Sequence, residues 1–485
     1  MVLMQPKSKT HFLIIAVLAV ATLFSGCSNP LVVAVVAARS AALWSKVTAS
    51  PATGVVSNHA VTLSWSDAPG ATSYNLYWST SPNPTAATAT KIAGVSSPYV
   101  HSGLANKINY NYFLTAVGST GESRPSTVTS IVPIQLVAYV TSSAAVKIYL
   151  VDKTTGAFGA PLSGPSTAYN LALAVDPACK YAYLTDLFTH QVYSFIINSN
   201  TGALTAVGSP VPTGNRPEYI VINANSSFVY VANSSAPSAA PAPVSSGWSV
   251  SGYKVSQTDG SLAVLSGFPV SVGDQIGGLS VSPDRRFLYL TTNAWTSNLY
   301  GYGINTSTGA LAAISGSPTP VSYTPGPVTF DSTSGFLYLA NHSDNVDNFI
   351  LKSYPVNITT GVPLASVSNM VNNSGGNRNI RNNHLAMDPY GRFLFVGNRM
   401  NENSITVFKV TSGALSVAKV GSVDSLLLAY EPGSMTVDTL GNSLYVANGS
   451  AVQSYSINQT TGALTPLASI DTGSTVNDIS VVSLP

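Results

Sequence analysis

Residues 444–464, LYVANGSAVQSYSINQTTGAL, hold the pattern that decides the fold. A strand carries an aromatic at Tyr445, a short turn follows, and the next strand ends in Tyr455 with β-branched Ile457 two residues on. Thr461-Gly462 then makes a turn. The same paragraph occurs seven times, with turn glycines at Gly156, Gly202, Gly260, Gly309, Gly361, Gly413 and Gly462. Units of roughly fifty residues with several short strands each are the mark of β-propeller blades. The second strand of each unit carries Tyr139, Tyr183, Tyr230, Tyr289, Tyr338, Phe395 or Tyr445. The third ends in Tyr149/Val151, Phe195/Ile197, Tyr253/Val255, Tyr302/Ile304, Tyr354/Val356, Phe408/Val410 or Tyr455/Ile457. Period-two spacing puts each pair on one face, where it can pack on the neighbouring blade.

Blade one has no innermost strand before Tyr139, and VNDISVV (476–482) matches LALAV and GSMTV of other blades. The chain end is therefore expected to complete the first sheet and remove the open edges. Asp176, Asp331, Asp388 and Asp438 recur at the turn after the innermost strand. One per blade is too sparse to share an ion, so they read as turn caps, with no metal expected. A Ser-, Ala- and Pro-rich insertion from Ser234 to Ser249 is expected to be a mobile loop in blade three.

Composition narrows the classes. Only 8% of residues are charged and 45% are hydrophobic, with net charge +2. That disfavours disorder and salt-bridged helical faces, and offers no basic stripe for nucleic acid. No Cys/His cluster has zinc spacing and no phosphate loop follows a strand, so no cofactor is expected. Residues 1–26 have the shape of a signal peptide, with Lys7 and Lys9 ahead of an apolar run from Phe12 to Phe24. LFSGC, ending at Cys27, resembles a bacterial lipobox, with Phe24 where Leu is usual. The resemblance implies cleavage before Cys27 and lipid attachment to its sulfur; Ser28 in place of Asp points to the outer membrane. Cys179 then reads as a small buried residue. Residues 27–44 serve as a tether, too short and too interrupted by Arg39 to span a bilayer. No transmembrane helix is expected in the mature chain.

Residues 45–133 show short alternating strands, with VTLSW ending at Trp65 and YNLYW placing Tyr74, Leu76 and Trp78 in alternation. The segment resembles a fibronectin type III domain, with Leu104 and Tyr110 in a tyrosine-corner pattern. The resemblance implies a seven-stranded sandwich. It would act as a spacer or as a module for a protein or glycan partner. The fold class expected is thus all-β: this sandwich, then a seven-bladed propeller over 134–485.

Charges are scarce, yet Arg216, Glu218, His342, Arg378, Arg381, His384, Arg399, Glu402 and Glu431 all fall in loops or strand ends on one face of the propeller. That face is the candidate site. VYVAN (229–233), LYLAN (337–341) and LYVAN (444–448), with LAMDPYGRFLFVGNRMNENSITVFKV (385–410), resemble the seven-bladed lactonase family and related YVTN surface propellers. Asn398, Arg399, Ser404 and Ile405 take the places of the family's NR…SI. The resemblance implies that Arg399 holds a substrate's anionic group, which suits its fork of donors. Elsewhere the match lapses: Gly326 and Pro327 stand where the family has Arg and His, His342 where it has an acid, and Gly433 where an Arg is usual.

Two functions follow. The favoured one is a non-catalytic, lipid-anchored envelope propeller, periplasmic or surface-facing, that presents its rim to a protein or glycan. The alternative is a divergent lactonase for an anionic lactone. In it Arg399, Asn398, Arg216 and Arg381 bind substrate, and His384, Glu218 or His342 supplies the base.

Overall fold

The computed structural model describes residues 48–484 apart from 58, 120, 235–246, 293–296, 322–324, 342–348, 373–380, 400–402, 418–424, 429 and 431. Described residues are strands and turns, with no helix among them, hence none long and apolar enough to cross a membrane. The chain divides into two compact units, Met1–Ile134 and Gln135–Pro485. The lipobox, Cys27 and the tether lie outside the described residues, as do most of the blade-three insertion and His342.

The first unit holds a three-stranded sheet and a larger one built around Ser73–Ser79 and Tyr110–Gly118. One core joins them, with Val61, Leu63, Trp65, Tyr74, Leu76, Tyr112 and Leu114 buried together. The Tyr110 hydroxyl accepts the Ala105 amide at 2.9 Å. Eight strands are present among its described residues rather than seven. Gly121–Glu122 and Thr129–Ile131 both pair with Tyr110–Gly118. They are one edge strand interrupted at Pro125, which has no amide to give the ladder.

The second unit is a seven-bladed propeller of seven antiparallel sheets. In blade one the final strand, Val476–Ser483, pairs with Leu136–Ser142 over its full length, so both ends of the unit share one sheet. Cores lie between blades. Val137, Tyr139 and Ile148 of blade one meet Leu173, Leu184 and Phe195 of blade two, and Tyr183 of blade two meets Ile220, Val229 and Val231 of blade three. Each aliphatic side chain buried there contributes about 1.5–3 kcal/mol.

The repeated tyrosines make a second link. Four of the six reach the turn glycine of the next blade: Tyr139 Oη donates to the Gly202 carbonyl at 2.8 Å, Tyr183 to Gly260 at 2.9 Å, and Tyr230 to Gly309 at 2.8 Å. Tyr289 donates to the Gly361 carbonyl in the same way. In blades five and seven the buried Tyr338 and Tyr445 hydroxyls find no partner among the described residues, and in blade six the position is Phe395. At the closing seam Ser454 Oγ donates to the Gly156 carbonyl at 3.1 Å. The turn glycine is required: Gly309 has φ +76, and a Cβ there would sit 2.5 Å from Phe228 Cδ1 and 2.7 Å from Leu265 Cδ1.

The four aspartates cap their turns. Asp176 Oδ1 accepts the Tyr181 amide at 2.9 Å, Asp331 Oδ1 accepts Phe336 at 3.1 Å, Asp388 Oδ2 accepts Arg392 at 3.0 Å, and Asp438 Oδ1 accepts Leu440 at 2.8 Å. No group of three or more His, Cys, Asp or Glu side chains suited to a metal occurs among the described residues. Cys179 is buried.

Candidate functional site

The innermost strands are Val476–Ser483, Asn170–Val175, Pro217–Ile222, Ile276–Val281, Pro325–Phe330, Arg381–Met387 and Pro432–Val437, for blades one to seven. Each pairs with its neighbour through a ladder that slips by one residue near the strand start. Seven bulges therefore surround one mouth of the channel, opposite the aspartate turns. A bulge leaves one residue unpaired and re-aims the side chains beside it, which is why bulges gather at functional sites.

After each bulge stands one equivalent residue: Asp478, Ala172, Tyr219, Gly278, Pro327, His384 and Ser434 for blades one to seven. The following residue packs into the core in most blades, as Ile479, Leu173, Ile220, Leu279, Val328 and Met435 do. The ring residue therefore faces the other way, towards the next blade. Tyr219 Oη donates to the Gly277 carbonyl of blade four at 3.2 Å. Ser434 Oγ donates to Asp478 Oδ1 at 2.6 Å, and the Leu173 amide of blade two donates to Asp478 Oδ2 at 3.0 Å. Burial pushes the Asp478 carboxyl up, against the Leu173, Ser434 and Ile479 donors, which favour its charged form. Burial, then the nearby Glu218 charge, pushes the Tyr219 phenol up.

Glu218 is the bulge residue of blade three. Its Oε1 lies 3.7 Å from the Arg216 guanidinium, and its Oε2 accepts the Ser234 hydroxyl at 2.7 Å. Arg216 is exposed with φ +51, and its amide donates to His190 Nδ1 at 3.1 Å; His190 also has positive φ, +56. Two non-glycine residues in this conformation hold strain of the kind that collects at binding sites. Beside them the exposed Phe188 ring meets Tyr169 edge-on at 5.0 Å. Their hairpin is fixed by the fully buried Asp186, which accepts the Tyr169, Phe188 and Thr189 amides at 3.1, 2.8 and 2.9 Å. Burial raises the Asp186 carboxyl, but those bonds and the Thr167 interaction outweigh it and leave the group lowered.

On blade six, Arg381 and Arg399 face each other in register at the mouth end of adjacent strands. His384 is the half-buried ring residue of the same sheet. Asn398 is buried, and its amide donates to Ser404 Oγ at 3.0 Å and Thr406 Oγ1 at 2.8 Å. Those bonds tie two strands together. Gly326 and Pro327 are the bulge and ring residues of blade five, so that position carries no side-chain donor, while His384 occupies its equivalent one blade on. The sequence reading missed Asp478, Ser434 and His190. The first two could have been found by aligning VNDISVV and GSMTV column by column with the strand that holds His384.

The family model described as Lactonase, 7-bladed beta-propeller matches residues 182–290 and 296–481. No curated protein sequence matches the chain. Among solved structures, the periplasmic gluconolactonase PpgL of Pseudomonas aeruginosa is similar with TM-score 0.59 and 20% identity, covering 73% of this chain and 99% of that one. A Bacteroides fragilis protein provisionally described as a 6-phosphogluconolactonase gives 0.58 and 19%, covering 72% and 98%. A Lactobacillus plantarum protein gives 0.58 and 16%, covering 72% and 99%. At these identities the likeness is one of fold.

Proposed function

The chain belongs to the lactonase family of seven-bladed β-propellers, and we propose on that basis that its channel mouth opens an anionic lactone by hydrolysis. What carries this reading is the mouth of blade six, where Arg381 and Arg399 stand opposite each other in the sheet that bears His384. Arginine suits a carboxylate or phosphate, because its planar fork of donors matches two acceptor oxygens. Ring opening also needs a proton acceptor for water and donors for the developing oxyanion. Asp478 and His384 at the ring and Glu218 at a bulge are the titratable side chains that stand there for that chemistry. The names of similar propellers direct attention to sugar-acid lactones.

The experiment is lactone hydrolysis by the purified protein, with glucono-1,5-lactone and its 6-phosphate, followed by proton release above the spontaneous rate. Arg399→Ala should lower kcat/KM about 10- to 100-fold, as loss of a charge-assisted bond worth about 1.5–3 kcal/mol requires. Saturable turnover that survives the substitution unchanged removes Arg399 from the site.

A second reading, a binding protein without turnover, draws on two observations. Blade five presents Gly326 and Pro327 where the family resemblance expects Arg and His, and the rim carries the edge-on Tyr169–Phe188 pair. An exposed aromatic face of that kind stacks on the apolar face of a sugar ring. Ligand-dependent quenching or shifts at Phe188 without hydrolysis would support it. We further place the chain at the bacterial cell envelope through a lipid on Cys27, with the fibronectin type III-like unit as spacer or binding module. Incorporation of labelled fatty acid, abolished by Cys27→Ala, tests that placement.

A further inference from the structure

We propose that Asp478 is the catalytic base of this site, the carboxylate that takes a proton from the water attacking the lactone carbonyl, with Ser434 as its positioning residue. The inference rests on the hydrolytic reading above. Three titratable side chains stand at the bulge ring besides Tyr219, whose hydroxyl is committed to the Gly277 carbonyl. Of the two carboxylates, Glu218 faces the Arg216 cation at 3.7 Å, whereas the donors to Asp478 are a neutral hydroxyl and two backbone amides. Asp478 stands at a ring position, one blade beyond Ser434 and two beyond His384.

Its carboxylate is held in one orientation by groups from three blades. Ser434 of blade seven donates to Oδ1 at 2.6 Å, Leu173 of blade two donates to Oδ2 at 3.0 Å, and its own neighbour Ile479 donates to Oδ1 at 2.9 Å. Three donors leave a fourth lone-pair position for water. The packed strands bring no charged side chain to it among the described residues: Thr141 faces it from Leu136–Ser142, the Leu173 amide from Asn170–Val175, and Ser434 from Pro432–Val437. Burial raises its affinity for a proton, which brings a carboxylate closer to the pH at which a base exchanges protons efficiently.

The step balances without a co-reactant. A water oxygen bonds to the lactone carbonyl carbon while its proton passes to Asp478, and the carbonyl π pair moves onto oxygen. Collapse of the tetrahedral adduct breaks the ring acyl C–O bond. The leaving oxygen takes the proton from Asp478, giving the open hydroxy acid and the starting carboxylate.

Steady-state hydrolysis of glucono-1,5-lactone by the full chain, from about pH 4 to about pH 8, tests this on wild type, Asp478→Asn and Ser434→Ala. Asp478→Asn should lower kcat about 100- to 10,000-fold with little change in KM, and erase the acid limb of the kcat profile. Ser434→Ala removes a donor to the charged carboxylate, so its acid limb should move to higher pH. Asp478→Asn that lowers the unfolding midpoint but keeps kcat and the acid limb overturns the proposal, and leaves Asp478 as a clasp between blades. Where Asp478→Asn fails to fold, an unmoved limb in Ser434→Ala overturns it equally. Wild type without turnover removes the hydrolytic reading and this inference together; turnover that ignores Asp478 removes this inference alone.

Discussion

The tyrosine links between blades allow a test in which one chemical change has opposite effects at two equivalent positions. Tyr230 and Tyr338 are both fully buried, both sit in the second strand, and burial pushes both phenols up, so both hydroxyls are neutral donors. They differ in what they meet. Tyr230 Oη donates to the Gly309 carbonyl at 2.8 Å, whereas Tyr338 Oη has no partner among the described residues. Replacing Tyr230 by Phe removes a buried hydrogen bond, a loss of about 1–2 kcal/mol once the carbonyl is left without that donor. Replacing Tyr338 by Phe removes a desolvated hydroxyl that gains nothing in return, so stability should hold or rise by about 1 kcal/mol. Equilibrium unfolding in urea, compared at equal m-value, reads the difference directly. Blade six already has Phe395 at this place, which indicates that the ring tolerates the missing hydroxyl sterically. A Tyr338→Phe loss as large as that of Tyr230→Phe would refute the reasoning, because the cost would then lie in ring packing and not in the bond.

Two further outcomes follow from the same framework. Gly309→Ala should destabilise by about 2–4 kcal/mol, from a left-handed φ that alanine resists and a Cβ driven into Phe228 and Leu265; a change under about half a kcal/mol would show that the turn relaxes freely. Asp438 is fully buried with Oδ2 unpartnered, and burial raises its carboxyl despite the Asn442 and Leu440 amides. The folded state then binds this proton more tightly than the unfolded state. Its contribution favours folding at low pH and is withdrawn as pH rises from the ordinary carboxylate range through the raised value. Asp438→Asn should therefore stabilise at neutral pH and flatten that dependence, checked by unfolding midpoints on both sides of the window; a less stable variant at neutral pH contradicts it.

The fold was legible because each blade repeats the same two chemical marks. A turn glycine and a buried aromatic cannot move without breaking an interblade contact, so they survive as a visible period. Ring closure was legible too, since VNDISVV carries the strand pattern the first sheet lacks. The bulges were not. Inserting one backbone residue changes register and leaves no trace in composition, so strand pairing makes the equivalence of His384, Ser434 and Asp478 plain where only a column-by-column alignment of their strands hints at it. Scarcity of charge singles out Arg216, Glu218 and His384 but not Asp478, which lies within the closing strand Val476–Ser483. Asn398 shows the reverse case: an amide singled out by motif is occupied by Ser404 and Thr406 within its own sheet. Pro125 explains the extra strand of the first unit, an interruption that a pattern of alternating residues does not reveal.

The pairing of Val476–Ser483 with Leu136–Ser142 also dictates a timetable. Leu136–Ser142 is among the first propeller segments to leave the ribosome, and its partner is the last. Contacts of such long sequence separation form late and slowly. Six sheets can assemble while the first still offers a bare edge. Nascent propellers are thus open to strand exchange with one another until that strand arrives. Holding the chain apart from its copies during that interval would decide yield more than the stability of the finished ring.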